Sequence, residues 1–228
     1  MSERLMFGSP VDGVLDRLYA LQGAQHDTVV AHFMDRAADG SMNWAQFDER
    51  TNTFLRDKLV ALDRDKAEFC YHVCRALRAR RVVEAGTSFG VSTLFLAAAV
   101  RDNHPGGGGV VIGTEYEPEK ARMARGHFAE AGLADVIDLR EGDLRETLVD
   151  VEGPIDFMLV DIWTSMARPA LSLIAPRLRE GAVVIADNTR QFRENYREYF
   201  EFVHDPRNGL RTMTLPFEGG LEFTVRAQ

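Results

Sequence analysis

From Val82 onward the chain alternates short aliphatic runs with amphipathic stretches, and no other feature limits its fold so strongly. The runs are RVVEA, GVVIGTE, VIDLRE, IDFMLVD and GAVVIAD. Between them lie VSTLFLAAAVR, EPEKARMARGHFAEAG, DLRETLVD and ARPALSLIAPRLRE, with Gly132 and Gly181 placed as helix stops. Such alternation predicts a parallel sheet with helices on both faces. After the fifth run, Phe192, Tyr196, Tyr199, Phe200 and Val203 mark one side of a helix. LRTMTLPF, EGG and LEFTVRAQ follow as two strands and a tight turn, which adds an antiparallel edge. The expected fold is α/β: a doubly wound, mostly parallel seven-stranded sheet with an antiparallel C-terminal hairpin.

Up to about residue 80 the rhythm is helical instead. VDGVLDRLYALQG, AQHDTVVAHFMDRAA and NTFLRDKLVALDRDKAEFCYHVCRALRAR repeat apolar residues at three and four, with a break at Asp39-Gly40-Ser41. The expected division is a helical cap over residues 1–65, serving the substrate pocket or a dimer surface, and a cofactor-binding domain over residues 66–228. Its boundary is set by the resemblance given below, which begins at about Lys66. Met34, Met42, Trp44 and Phe47 are the cap's expected pocket residues. Cys70 and Cys74 share one helix face and lack the spacing of zinc or redox motifs, so they are expected to be buried apolar residues.

Charge removes several classes of function. With 27 Lys and Arg against 35 Asp and Glu, the net charge is −8, which disfavours a surface that tracks nucleic-acid phosphates. No apolar run approaches the ~20 residues that cross a bilayer. The opening MSERLMFGSPVDG lacks the apolar core of a signal peptide, so a cytoplasmic protein without membrane attachment is expected.

The segment VVEAGTSFGVST admits two chemistries. Gly86-Thr87-Ser88-Phe89-Gly90 is a literal G-x-S-x-G, the turn that presents a nucleophilic serine, and Ser88, Asp161 or Asp187, and His204 follow in the order of a hydrolase triad. The same residues form a glycine loop between strand and helix, where a nucleotide-bearing cofactor lies. The second reading is favoured, because the loop follows the first strand and no His-Gly-Gly segment precedes it. Gly86 allows the tight turn, and Gly90 is expected to let the next helix start close to the ligand. The loop lacks the middle glycine of G-x-G-x-x-G, so a nucleoside without a pyrophosphate fits better than NAD. Glu115, ending the second strand, could accept hydrogen bonds from both ribose hydroxyls. Asp143, after the third, could receive an adenine amino group or simply cap a helix.

Four segments in order, VVEAGTSFGVST, GTEYEPEKARMA, REGD and VVIADN, resemble the motifs of class I S-adenosylmethionine-dependent methyltransferases. The resemblance is to the catechol and caffeoyl-coenzyme A O-methyltransferase group, and it runs from about Lys66 to the end. It implies a Rossmann-like methyltransferase fold, with Glu84, Gly86, Ser88, Gly90 and Ser92 around the methionine part of S-adenosylmethionine. It also implies Glu115 on the ribose, Asp143 by the adenine and Trp163 along it, Trp163 otherwise being an ordinary packing residue. A homodimer would be in keeping with the family.

Asp161, Asp187 and Asn188 end adjacent strands, and clustered oxygen ligands of this kind suit Mg²⁺ unless they are only a strand-end carboxylate and a helix cap. The resemblance places the family's metal on these three residues, with Asp161 catalytic as well. The expected reaction is metal-assisted methylation of a small-molecule, catechol-like hydroxyl. The rivals are metal-independent N-, S- or carboxyl-methylation, a nicotinamide oxidoreductase and a serine hydrolase. One departure stands out: Thr164 occupies the position where the family carries its proton-accepting lysine. His26 and His32 are the replacements to test, unless a metal makes a base unnecessary.

Overall fold

The computed structural model describes residues 6–8, 10–41 and 49–227. Met42, Trp44 and Phe47 lie outside them. Seven strands form one sheet in the order β3-β2-β1-β4-β5-β7-β6. They are β1 (Arg81–Ala85), β2 (Val110–Glu115), β3 (Ile137–Glu141), β4 (Ile155–Val160), β5 (Leu178–Asp187), β6 (Leu210–Leu215) and β7 (Leu221–Arg226). The first five run parallel, and β7 pairs antiparallel with both β5 and β6. This is the doubly wound α/β sheet with an antiparallel C-terminal hairpin that the alternation predicts.

Strand residues divide cleanly between two cores because successive side chains point to opposite faces. Val82, Val111, Phe157, Leu159 and Ile185 pack on one side with α3 (Arg64–Ala76), α4 (Val91–Asn103) and α5 (Pro118–Glu130). Val83, Ile112, Met158, Val160 and Val184 pack on the other with α6 (Leu144–Thr147), α7 (Thr164–Ile174) and α8 (Arg197–His204). Cys70 and Cys74 are free and fully buried in the first core.

The helical preface departs from its expected division. The first two segments are one helix, α1 (Val11–Ala38), since Gly23 sits mid-helix with open space around it and only the modest cost of a helical glycine. Val11, Val14, Leu15 and Leu18 of α1 are buried in the α3–α5 core. The third segment splits into α2 (Glu49–Leu55) and α3. Between them residues 56–63 leave the helix and form a strap. Leu59 and Leu62 are buried while Val60 is 53% exposed, a pattern that a continuous helix does not provide.

Side chains from one face of α1 hold the strap's backbone. Gln25 accepts from the Leu59 N–H at 2.8 Å and donates to the Asp57 carbonyl at 3.1 Å. Gln22 accepts from the Ala61 N–H at 3.3 Å, and the Tyr19 hydroxyl donates to the Leu62 carbonyl at 2.9 Å. These bonds replace the helical ones that the strap gives up.

Candidate active site at the strand ends

The chain enters the sheet at β1, extends to β3, then returns past β1 to β4, so the order reverses between β1 and β4. A ligand crevice is expected outside the carboxyl ends of strands at such a reversal. A cleft lies there, bounded by Gly86, Ser88, Phe89, Ser92 and Asp161 on one side and by strap residues 59–62 on the other. Sequence periodicity missed the strap because FLRDKLVAL has a helical rhythm. A larger, open depression between α7 and α8, edged by Arg168, Glu198, Glu201 and Arg207, is polar and away from the strand ends.

The loop after β1 is held from below by a buried carboxylate. Glu84 has no solvent exposure. Ser92 donates to its Oε1 at 2.6 Å, while Thr87, at 2.8 Å, and Thr93 donate to its Oε2. Burial pushes the Glu84 carboxyl up, and the three hydroxyls oppose that shift. Glu84 thus presents no surface to the cleft and shapes the loop. Gly113 on β2 makes room for this network, since a Cβ there would lie 2.5 Å from Thr87 Oγ1.

The two loop glycines have different reasons. At Gly86 (φ +100°) a Cβ would lie 2.0 Å from the Asp161 carbonyl oxygen. At Gly90 (φ +89°) a Cβ would lie 2.4 Å from the Phe128 ring of α5. Gly90 therefore serves helix–helix packing and the left-handed start of α4, rather than the ligand approach expected of it.

Glu115 ends β2 beside the loop. Its Oε2 accepts from the Ser88 N–H at 2.7 Å and its Oε1 from the Glu117 N–H at 2.8 Å. Burial raises the Glu115 carboxyl, against those N–H groups and Lys120. Asp143 caps α6 by accepting from the Arg145 N–H at 2.8 Å. Trp163 is half-buried at the start of α7, and neither it nor Asp143 lines the cleft.

The hydrolase geometry does not assemble. Leu221, at the start of β7, pairs with Asp187 at the end of β5, whereas Arg226 pairs with Leu210 at the start of β6. The start of β6 is therefore at the edge of the sheet opposite the cleft, and His204 precedes it by a short turn. Its Nδ1 lies 2.8 Å from the Phe200 carbonyl oxygen. Ser88 (φ +50°) is at the other edge, with its N–H on Glu115.

The acidic strand ends come together, and a cation comes with them. The Lys66 Nζ lies 2.9 Å from Asp187 Oδ1 and 2.9 Å from Asp63 Oδ2. Lys66 is 1% exposed. At 2.9 Å the Lys66 ammonium and Asp187 Oδ1 form a buried ion pair. Burial pulls the ammonium down, and Asp187 and Asp63 raise it by more, so it stays charged. Burial drives Asp161 well above the usual carboxylate range, reinforced by Asp187 and Glu84 and opposed by Lys66. Asp187 is raised by burial against the pull of Lys66. Asn188 donates its Nδ2 to Asp187 Oδ2 at 2.9 Å.

Lys66 already engages one oxygen of this donor set. An ion about 2.1 Å from Asp187 Oδ1 would lie within roughly 5 Å of the Lys66 ammonium and meet a repulsion of about 6 kcal/mol at an effective dielectric of ~20, set against its attraction to the Asp161 and Asp187 carboxylates. The signal for Lys66 is present in the sequence: a lysine leads the buried i, i+4, i+8 stripe Lys66-Cys70-Cys74. Its partner Asp187 is 121 positions away (187 − 66), beyond the reach of periodicity. Neither candidate base from α1 lines the cleft. His26 is exposed, and the His32 ring stacks on Phe54 with centroids 3.7 Å apart.

Residues 83–189 match the protein family described as Methyltransferase domain. A catechol O-methyltransferase from Mycobacterium tuberculosis is 32% identical over 57% of this chain and 57% of its own length. A second catechol O-methyltransferase, from Niastella koreensis, is 28% identical over 57% of this chain and 58% of its own. The chain thus matches little more than half the length of these curated relatives. An O-methyltransferase from Streptomyces achromogenes, solved with SAM, superimposes with a TM-score of 0.67 at 21% identity, covering 80% of this chain and 92% of that one.

Proposed function

We propose that this chain, which resembles the class I S-adenosylmethionine-dependent O-methyltransferases in sequence and fold, transfers a methyl group to a hydroxyl of a small, catechol-like molecule. The observation that carries the reading is the convergence of the Gly86–Ser92 loop and Asp161 on one cleft at the β1/β4 reversal, with Glu115 holding that loop through the Ser88 N–H. Gly86 lets the loop pack directly on the Asp161 backbone beside the cleft, and Ser88 and Ser92 line it, the Ser92 hydroxyl donating to Glu84. Glu115 keeps lone pairs for a ribose while it holds the loop through the Ser88 N–H. Asp143, after β3, and Trp163, after β4, are assigned to the adenine side.

When bound, S-adenosylmethionine supplies an electrophilic methyl on a sulfonium, so transfer breaks a C–S bond, forms a C–O bond and releases the hydroxyl proton. The chain's own part is alignment and proton removal. Asp161, which lines the cleft, is assigned to accept that proton. Lys66 balances the charge of Asp187, which would otherwise act uncompensated on Asp161. Leu59 and Leu62 of the strap exclude water from the same cleft. No step is assigned to a divalent ion.

Calorimetric titration with S-adenosylmethionine and S-adenosylhomocysteine tests the reading. Saturable binding is expected, weakened about 10- to 100-fold in Glu115→Ala by the loss of charge-assisted hydrogen bonds. Absence of binding at millimolar cofactor would end it.

A further inference from the structure

Lys66 solves a problem that the strand-end carboxylates create. Asp161 and Asp187 lie at the tips of neighbouring strands, and each raises the other's energy when both are charged. Two such groups in a partly dry cleft require a cation or a proton. Thr164 stands where the resemblance expects a lysine after Asp161. Lys66 comes from the first turn of α3, on the face that carries Cys70 and Cys74 into the core.

Its surroundings are those of a fixed counter-ion. The ammonium is anchored at 2.9 Å to Asp63, which stands at the N-cap position of α3, and at 2.9 Å to Asp187. The chain that carries it is enclosed, so it cannot swing out to solvent as a surface lysine does. Asn188, the third expected metal ligand, turns its Nδ2 toward Asp187 Oδ2. An amide N–H donor pointed at that oxygen supports a carboxylate and competes with a metal ion for it.

We infer that Lys66 is the resident cation of this site, held between Asp63 and Asp187 and neutralising Asp187, so that the chain binds no Mg²⁺ at its strand ends. Resting on the methyltransferase reading, one consequence is that methyl transfer proceeds without a divalent ion. The cation assignment itself does not depend on that reading.

The test is a titration of the full chain with Mn²⁺, which competes for Mg²⁺ sites and loses its free-ion EPR signal on binding. Wild type is expected to show no stoichiometric site up to millimolar Mn²⁺. Lys66→Ala is expected to gain at least tenfold in Mn²⁺ affinity, and Lys66→Ala/Asp187→Asn to lose that gain. A wild-type site that binds one Mn²⁺ and disappears in Asp187→Asn overturns the inference. So does a folded Lys66→Ala protein that gains nothing. If Lys66→Ala does not fold by circular dichroism, Lys66→Met, which keeps the chain length, takes its place, and the wild-type titration decides by itself. Calorimetry with S-adenosylmethionine alongside separates the two ideas: failure of cofactor binding removes the methyltransferase reading and leaves the Mn²⁺ result standing. Where turnover is measurable, rates in EDTA and in Mg²⁺ should agree within twofold, and a Mg²⁺ requirement overturns the inference.

Discussion

Gly86 lies against Asp161 so closely that a methyl group on its α-carbon would sit 2.0 Å from the Asp161 carbonyl oxygen. The Asp161 N–H in turn donates to the Ala85 carbonyl at 3.0 Å, so the loop after β1 and the end of β4 are locked edge to edge. The approach sets both the floor of the cleft and the place of its acidic group.

Gly86→Ala should therefore separate these two segments. With φ at +100° and backbone in the way, the cost is expected to be about 2–4 kcal/mol. Thermal unfolding should show the loss, and calorimetry should show cofactor affinity falling by more than the stability change explains. A variant with wild-type affinity would mean that the loop is not the cradle.

Gly90→Ala should destabilise for another reason, the 2.4 Å approach to Phe128. Phe128→Leu in the same chain should return part of the loss, leaving about 1 kcal/mol for the left-handed backbone. A double-mutant cycle in urea measures the coupling, and strict additivity would contradict the packing assignment.

The strap should respond to Gln25→Ala. Both of its contacts, to the Leu59 N–H and the Asp57 carbonyl, would pass to water. Cofactor affinity is expected to fall roughly three- to tenfold, mainly through faster release, with little change in the midpoint of global unfolding. Stopped-flow displacement distinguishes this from a defect in the glycine loop, which would also lower overall stability.

Asp156 supplies a pH dependence away from the site. Burial pushes its carboxyl up, but Arg179 at 2.5 Å and the N–H groups of Arg80 and Arg81 at 2.8 and 2.9 Å hold it below the usual range. A depressed carboxylate contributes stability that is full above its unfolded value near ~3.9 and is lost as pH falls through the folded one. Asp156→Asn should thus cost about 1–3 kcal/mol at pH 7, and the gap to wild type should narrow below about pH 4. Equal gaps in urea unfolding at pH 7 and at about pH 3 would show that the charge is not the source.

Much of this protein was legible in the sequence because it is written locally. The sheet, its hairpin and the Tyr199, Phe200 and Val203 face of α8 follow from periods of two and about 3.6, which neighbouring residues reveal together, while Phe192 and Tyr196 of the expected aromatic face precede the helix. The same holds for the glycines of the loop and the acidic strand ends, which their position after each aliphatic run identifies. Side-chain roles were legible less often. Glu84 reads as a ligand contact and is a buried strut, and Gly90 reads as a ligand approach and is a packing position, because burial depends on what crosses overhead.

The sequence by itself determined the order of strands and helices and the cluster of carboxylates at their tips, since these depend on spacing along the chain. Only the tertiary structure decided that residues 56–63 leave the helix to roof the cleft, that His204 ends at the far edge from Ser88, and that Lys66 meets Asp187. Each of those depends on a contact between elements far apart in sequence. Coulomb attraction and exclusion of water act through space, and no pattern of neighbours along the chain records them.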